Sequence, residues 1–129
     1  ARDGLSDRVT AVACDFTKDP FPGTFDLVFV SAIVHMNSDK ENRALVKKCA
    51  AALNPGGRVV IQDFILAEDR TAPPFAALFA VNMLVATPGG NTYTYPEIRS
   101  WMDAAGLKKI TRASTGFDAD LVIGRKPAR

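Results

Sequence analysis

The residues best suited to chemistry are the only histidine of the chain, His35, and the acidic residue Asp63. His35 follows the apolar run Phe25–Val34, and Asp63 lies within the apolar run Arg58–Leu66. Runs of this kind are typical of strands covered on both faces. If a helix joins the two strands through short loops, they run parallel and their ends meet at one rim of the sheet. That rim is where α/β folds keep their chemistry, so we expect His35 and Asp63 to lie near each other there.

The residue types alone leave other interpretations open. A single histidine after an apolar strand is more often a structural residue with satisfied hydrogen bonds than a catalytic one. An acid at a strand end can be solvated, or paired with an arginine such as Arg70.

The elements around this rim are predicted from turn and capping signals. The apolar, β-branched segment Val9–Phe16 predicts a further strand. Ser38 followed by Glu41 predicts a capping box that begins an amphipathic helix. Asn54-Pro55-Gly56-Gly57 predicts the turn that ends this helix before the next strand.

The second half of the chain contains two more predicted helices and a hairpin. The segment Phe75–Ala86 is apolar nearly all round, which predicts a helix that must be covered on most sides. Thr94 followed by Glu97 predicts another capping box. The segments Lys108–Ser114 and Asp120–Arg125 predict two short strands that pair as a hairpin. The 129 residues therefore predict one α/β domain at most.

Composition excludes several function classes. The formal net charge is +2 and the basic residues are scattered along the sequence, so nucleic-acid or membrane-surface binding is not expected. Two cysteines without a C-x-x-C pair or a His/Cys cluster predict reduced, packed thiols, a cytoplasmic location and no metal site.

Several motifs, in order and spacing, resemble a known family. They are CDF-x-x-DP-F-P, FDLVFVSAIVH, LNPGGRVVIQDFIL, the apolar helix ending in TPGG, and YTYPEIRSWMDAAGL. The chain resembles the C-terminal half of class I S-adenosylmethionine-dependent O-methyltransferases, especially the hydroxyindole and plant-phenol type. The resemblance implies a Rossmann-like, mostly parallel sheet with a C-terminal antiparallel hairpin, and residues 1–129 as the C-terminal part of one catalytic domain. The first strand and glycine-rich loop of the family are expected to precede Ala1.

The resemblance also implies roles for individual residues. His35 matches the base that takes the proton of a substrate hydroxyl, and Asp63 matches its acidic partner. Asp15 and Phe16 match the residues that hold the adenine of the cofactor S-adenosyl-L-methionine, although Asp15 could instead simply cap a turn before Lys18. Ser31 matches a polar position near the adenine, and a strand serine bonded to backbone is an equally good interpretation.

Three further residues match positions near the family's acceptor pocket. These are Asn82, Met83 and Thr87, for which plain core packing is the stronger alternative. The sequence departs from the family at Asn37, where a tryptophan is common, and near Thr92, where a glutamate is common. Both departures affect how a substrate would be positioned.

The resemblance implies methyl transfer to a hydroxyl of a small molecule, and we expect this molecule to be aromatic. An alternative is a non-catalytic folded fragment or dimerising module, with its open sheet edges covered by a second copy through strand exchange or through the Phe75–Ala86 helix. A nicotinamide-dependent oxidoreductase is disfavoured because no G-x-G-x-x-G loop is present.

Overall fold

The computed structural model describes residues 4–128. Its elements in chain order are β1 (Phe25–Ser31), a 3-10 turn (Val34–Met36), α1 (Asp39–Ala51), β2 (Leu53–Leu66), α2 (Pro74–Ala86), β3 (Tyr93–Thr94), α3 (Tyr95–Ala104), β4 (Lys108–Ser114) and β5 (Ala119–Arg125). The α/β class is confirmed.

The sheet is organised around β2, which is its longest strand. β2 pairs in parallel with β1 on one side and, near its end, in parallel with the short β3. On the other side it pairs antiparallel with β5, which pairs antiparallel with β4. The order β1-β2-β5-β4 therefore confirms the parallel crossover through α1 and the C-terminal hairpin.

Both predicted capping boxes are present. The Ser38 hydroxyl accepts a hydrogen bond from the Glu41 backbone N–H, and the Glu41 carboxylate accepts from the Ser38 N–H at 2.7 Å. Thr94 and Glu97 make the same reciprocal pair at the start of α3. Each box satisfies backbone N–H groups that would otherwise lack partners in the first turn.

The core lies between the sheet and the helices α1 and α3. Apolar side chains from β2, β5 and both helices form one buried cluster. Trp101 is at its centre, with none of its surface exposed. The Trp101 indole Nε1 donates to Asp39 Oδ1 at 2.6 Å, which ties α3 to the first turn of α1.

The predicted strand Val9–Phe16 is wrong. Residues 9–15 form no strand and are exposed, and only Phe16 is half-buried. A strand is stabilised by hydrogen bonds to a neighbouring strand and by burial of its apolar side chains. Within residues 4–128 no strand pairs with this segment. Its β-branched residues therefore do not form a strand.

The prediction that Phe25–Val34 is covered on both faces is also wrong. The strand ends at Ser31, and the chain then turns at Ala32, whose φ is 54°, before His35. Most of β1 is exposed, including Leu27 at 56% and Phe29 at 55%. β1 is the edge of the described sheet, and its outer apolar side chains have no neighbour there.

The Asn54-Pro55-Gly56-Gly57 segment is not a simple turn between helix and strand. β2 begins at Leu53 and the segment is an irregularity within the strand, because Phe25 pairs with Leu53 whereas Leu27 pairs with Arg58. Gly57 is required by close packing, since an added Cβ would lie 2.9 Å from the Asn54 carbonyl oxygen.

Helix α2 has the predicted position but is not covered. Only Ala76 and Met83 are buried in it, while Leu78, Leu84 and Val85 are more than two-thirds exposed. The apolar side chains on the outer face of α2 are therefore exposed in the part of the chain that the structure describes.

Three basic side chains that are distant in sequence meet on neighbouring strands. Arg125 is the direct cross-strand partner of Arg58 on β2 and of Lys108 on β4. All three are exposed, and within the described ranges none of them forms an ion pair. Like charges directly opposite each other destabilise a sheet.

Replacing Arg125 by Glu is therefore expected to stabilise the fold by about 0.5–1 kcal/mol at low salt, because it converts two repulsive pairs into attractive ones. Urea denaturation at low and high salt measures this, and salt should reduce the gain by screening. Arg125→Gln is the matched neutral control, with roughly half the effect. A glutamate variant no more stable than the wild type would contradict the expectation.

The two cysteines are free and differ in exposure. Cys49 is buried in the core, as predicted, whereas Cys14 is exposed, which corrects the prediction of two packed thiols. Burial raises the pKa of the Cys49 thiol to about 11.

Selective labelling is the expected consequence. The thiolate is the reactive form, so at pH 8 iodoacetamide should modify Cys14 and leave Cys49 intact until the chain unfolds. Mass spectrometry of the labelled peptides measures this. Equal labelling of both cysteines in the folded chain would show that Cys49 is not protected.

The raised pKa of Cys49 also predicts that stability depends on pH. Between about pH 9 and pH 11 the thiol of the unfolded chain has lost its proton while folded Cys49 keeps it, so the free energy of unfolding should fall as the pH rises through this range.

Candidate active site

His35 and Asp63 are in direct contact. His35 Nδ1 lies 2.8 Å from Asp63 Oδ1 and 3.0 Å from Oδ2. The Asp63 carboxylate also accepts from the Phe64 backbone N–H at 2.8 Å and from the His35 backbone N–H at 3.3 Å. Asp63 is therefore neither solvated nor paired with Arg70, whose guanidinium instead contacts Glu97.

The contact fixes the protonation of the imidazole ring. An ionised carboxylate can only accept, so Nδ1 of a neutral His35 carries the hydrogen and Nε2 keeps its lone pair. The Asp63 side chain is 2% exposed and that of His35 is 12% exposed, which leaves His35 as the member of the pair that a ligand can reach. This arrangement can take a proton at Nε2 and stabilise the resulting imidazolium.

The strand β2 and the turn after β1 bring Asp63 and His35 together. Asp63 lies in β2, close to its carboxyl end, and its side chain points to the face that is otherwise buried. His35 lies in the 3-10 turn that follows the parallel neighbour β1. The prediction that His35 and Asp63 lie near each other is confirmed, at the carboxyl end of the parallel pair β1 and β2 in a sheet that is otherwise antiparallel at β5 and β4.

Three phenylalanine rings line this rim and were not predicted. Phe79 of α2 stands edge-on to His35, with ring centroids 4.9 Å apart, and Phe64 stacks on His35 at 6.3 Å. Phe75 packs against Phe64 at 5.0 Å. Phe75 and Phe79 are four residues apart on one helix, and this spacing was the sequence signal from which the aromatic lining could have been predicted.

Two of the three residues matched to the adenine site line a separate apolar groove. Phe16 and Ser31 both line this groove, which has a volume of about 480 Å³ and runs along β1. Asp15 lies next to Phe16, and its carboxylate accepts from the Thr17 N–H at 3.0 Å and from the Thr17 hydroxyl at 2.5 Å. These bonds hold the pKa of Asp15 below its ordinary value, so Asp15 caps a turn as an ionised group. Ser31 donates to Gln62 Oε1 at 3.0 Å and not to backbone.

The residues matched to the acceptor pocket lie in different environments. Met83 is buried, 7% exposed, on the inner side of α2, whereas Asn82 is exposed. The Thr87 hydroxyl donates to the Met83 carbonyl at 2.7 Å and accepts from the Gly90 N–H, so it ends the helix. Thr92 is fully buried, and its Oγ1 has no hydrogen-bond partner among residues 4–128.

The described residues contain neither a candidate metal site nor a helix able to cross a membrane. Between residues 4 and 128, no three His, Cys, Asp or Glu side chains lie close enough together to hold a metal ion. None of the helices described has the length and apolarity needed to cross a bilayer.

Comparison with known proteins places this arrangement in a family. The profile of the O-methyltransferase domain family matches residues 2–108. The chain is 37% identical over 110 residues to the 3-hydroxy-5-methyl-1-naphthoate 3-O-methyltransferase of Streptomyces sahachiroi, covering 85% of this chain and 32% of that protein. The chain thus spans about a third of the length of the curated relatives it matches.

Solved structures give the same result. An O-methyltransferase family 2 protein from Planctomyces limnophilus, in complex with apigenin, superposes with a TM-score of 0.88 at 32% identity, over 95% of this chain and 36% of that one. Human N-acetylserotonin methyltransferase in complex with SAM superposes with a TM-score of 0.82 at 30% identity, over 88% and 32%. On its matched profile, its relatives and its fold, the chain belongs to the O-methyltransferase domain family.

Proposed function

We propose that this chain is the acceptor-activating part of an S-adenosylmethionine-dependent methyltransferase that acts on a hydroxyl of a small aromatic molecule. The observation that carries the proposal is the 2.8 Å contact between His35 Nδ1 and Asp63 in a chain of this family. The contact engages Nδ1 and leaves Nε2 as the ring nitrogen available to take a proton. His35 is then the general base and Asp63 the residue that orients it.

The acceptor hydroxyl must lose its proton when it receives the methyl group. S-adenosylmethionine, when bound, supplies a methyl group on a positively charged sulfur. His35 Nε2 would take the proton of the acceptor hydroxyl as the acceptor oxygen receives the methyl group. Asp63 stabilises the positive charge on the ring, and the proton leaves to solvent afterwards. Alignment of the acceptor oxygen with the methyl carbon supplies most of the remaining rate enhancement.

The groove along β1 fits the adenosine end of the cofactor. Its lining is almost entirely apolar, and Phe16 offers a flat ring for stacking on a base. Asp15, kept ionised by Thr17, is an acceptor for the exocyclic amine of adenine, and the Ser31 hydroxyl is a further polar contact. We therefore assign Asp15, Phe16 and Ser31 to the cofactor.

The rim around His35 fits an aromatic acceptor. Phe79 and Phe64 present ring edges and faces beside the base. Met83 adds a thioether, which packs well on aromatic rings. Asn82 lies on the same helix, and Thr87 caps its C-terminal end. The names of the naphthoate methyltransferase and of the apigenin complex support a hydroxylated aromatic acceptor.

Two exposed apolar surfaces favour a second candidate function, that of a folded piece that assembles without binding cofactor. These are the outer side of α2 and the free edge of β1. Light scattering tests this candidate, because a chain that remains monomeric at high concentration would exclude a dimerising module.

Calorimetric titration of the chain with S-adenosylhomocysteine tests the proposed cofactor site. We expect saturable binding that Asp15→Ala weakens about tenfold, since the variant loses the charge-assisted hydrogen bond that the carboxylate would accept from the adenine amine. Thr17→Val is the matched control, because it removes the hydroxyl that donates to Asp15 and keeps the carboxylate. No binding, or binding that Asp15→Ala leaves unchanged, would contradict the assignment.

A further inference from the structure

Asn42 is a fully buried polar residue whose side chain makes hydrogen bonds to both ends of the turn that carries His35. It lies on the inner face of α1 with none of its surface exposed. Its Nδ2 donates to the Val34 carbonyl at 2.8 Å, and its Oδ1 accepts from Asn37 Nδ2 at 3.1 Å. Val34 and Asn37 flank His35, so Asn42 holds the turn on both sides of the histidine.

The polarity of Asn42 has no other use in the fold. Its neighbours on the inner face of α1 are apolar, among them Leu45, Val46 and Cys49. A buried amide costs stability unless its donors and acceptors are paired, and an apolar residue would serve packing alone. Both paired atoms of Asn42 contact one short turn, which indicates that its role is to fix that turn.

Two further contacts, from residues near the start of α3, hold the same turn. The Tyr93 hydroxyl donates to the Asn37 carbonyl at 2.6 Å, and burial raises the pKa of Tyr93 to about 12, so it remains a donor. The Asn91 backbone N–H donates to the His35 carbonyl at 3.0 Å. The close approach requires Gly90, where an added Cβ would lie 2.4 Å from that carbonyl oxygen.

We propose that Asn42, assisted by Tyr93, is a positioning residue that holds His35 in the tautomer with hydrogen on Nδ1. The inference rests on the proposed role of His35 as the base. The Nδ1 contact to Asp63 spans only 2.8 Å and requires the turn to keep the imidazole in place. If the turn loosens, Nδ1 separates from the carboxylate, the ring can place its hydrogen on Nε2, and the base is lost.

Nitrogen NMR of the ring tests this in the chain itself, because His35 is the only histidine. At a pH where the spectrum shows a neutral ring, we expect wild-type Nδ1 to carry the hydrogen. In Asn42→Ala we expect the two ring-nitrogen shifts to move toward each other as the second tautomer becomes populated. Tyr93→Phe, which removes only the hydroxyl, should shift them in the same direction by less.

Met102→Ala is the control for a loss of stability alone. Met102 is fully buried in α3 and packs near Gly124, in a different part of the core from the turn. The control should lower stability and leave the ring shifts at their wild-type values. Unchanged shifts in both Asn42→Ala and Tyr93→Phe, or an equal change in Met102→Ala, would overturn the proposal.

A kinetic measurement separates this proposal from the proposed function. In a polypeptide that joins this chain to the remainder of the domain found in its relatives, Asn42→Ala should lower kcat at least tenfold and leave the KM for S-adenosylmethionine unchanged. If His35→Ala keeps full turnover there, the proposed function fails while the tautomer result still stands. A changed tautomer with unchanged kcat would overturn the catalytic consequence of the positioning.

Discussion

Replacing His35 by alanine is expected to lower the turnover of methyl transfer by about 10²–10⁴-fold, the range by which general-base catalysis accelerates reactions. The acceptor hydroxyl would then have to lose its proton to water. Cofactor affinity should change little, because Phe16 and Ser31 line a groove whose lining does not include His35. The measurement is the steady-state rate with S-adenosylmethionine in a polypeptide that completes the domain as in the relatives.

Two variants make this result specific. His35→Gln keeps a donor that can reach Asp63 but has no basic nitrogen, so it should lose as much turnover as the alanine variant. Phe117→Ala changes a ring that is 85% exposed in the loop between β4 and β5, and it should leave turnover unchanged. A rate within threefold of wild type in His35→Ala would remove His35 as the base.

Replacing Trp101 by alanine is expected to lower the free energy of unfolding by about 3–5 kcal/mol. The side chain is completely buried, and its ring stands edge-on to Tyr93 with centroids 4.7 Å apart. The variant would also leave Asp39 without the indole donor at 2.6 Å. Such a loss is a large part of the stability of a small domain.

Circular dichroism during urea denaturation measures this effect, since the variant lacks the only tryptophan of the chain. Trp101→Phe keeps most of the apolar volume and loses only the indole N–H contact, so it should cost clearly less. A loss below 1 kcal/mol in Trp101→Ala would show that the interface between α1 and α3 does not hold the core together.

Signals within a few residues of each other predicted much of the fold. Ser38 with Glu41, and Thr94 with Glu97, begin α1 and α3 as their spacing indicated. The two β-rich segments after Gly106 pair as a hairpin. These features depend on local hydrogen bonds and periodicity, which a sequence displays directly.

Features that depend on what lies beside an element were not predictable in the same way. The apolar run of β1 indicates a strand that favours cover on both faces, but burial requires neighbours, and among the described residues Leu27 and Phe29 remain more than half exposed. The same holds for the segment Val9–Phe16, which no described strand pairs with. Hydrophobic composition indicates that a segment tends to be buried. It does not indicate whether a neighbouring strand or helix is present to bury it.

The candidate site was predictable in part. The alternation of strand and helix placed His35 and Asp63 on one rim, and the structure brings them into contact. The residues that hold the turn could not be identified, because Asn42 and Tyr93 reach it from 5 and 56 residues beyond Asn37. A lone asparagine on an apolar helix face was the one available signal.

The most direct test of the account compares acceptors whose hydroxyl groups differ in acidity. A base is needed for a hydroxyl that is still protonated at the assay pH, and it is superfluous for one that is already ionised. With a series of substituted phenols, the ratio of the single-turnover rates of wild type and His35→Ala should fall from about 10² or more toward one as the acceptor becomes more acidic. A ratio that stays equally large across the series would contradict the assignment of His35 as the base.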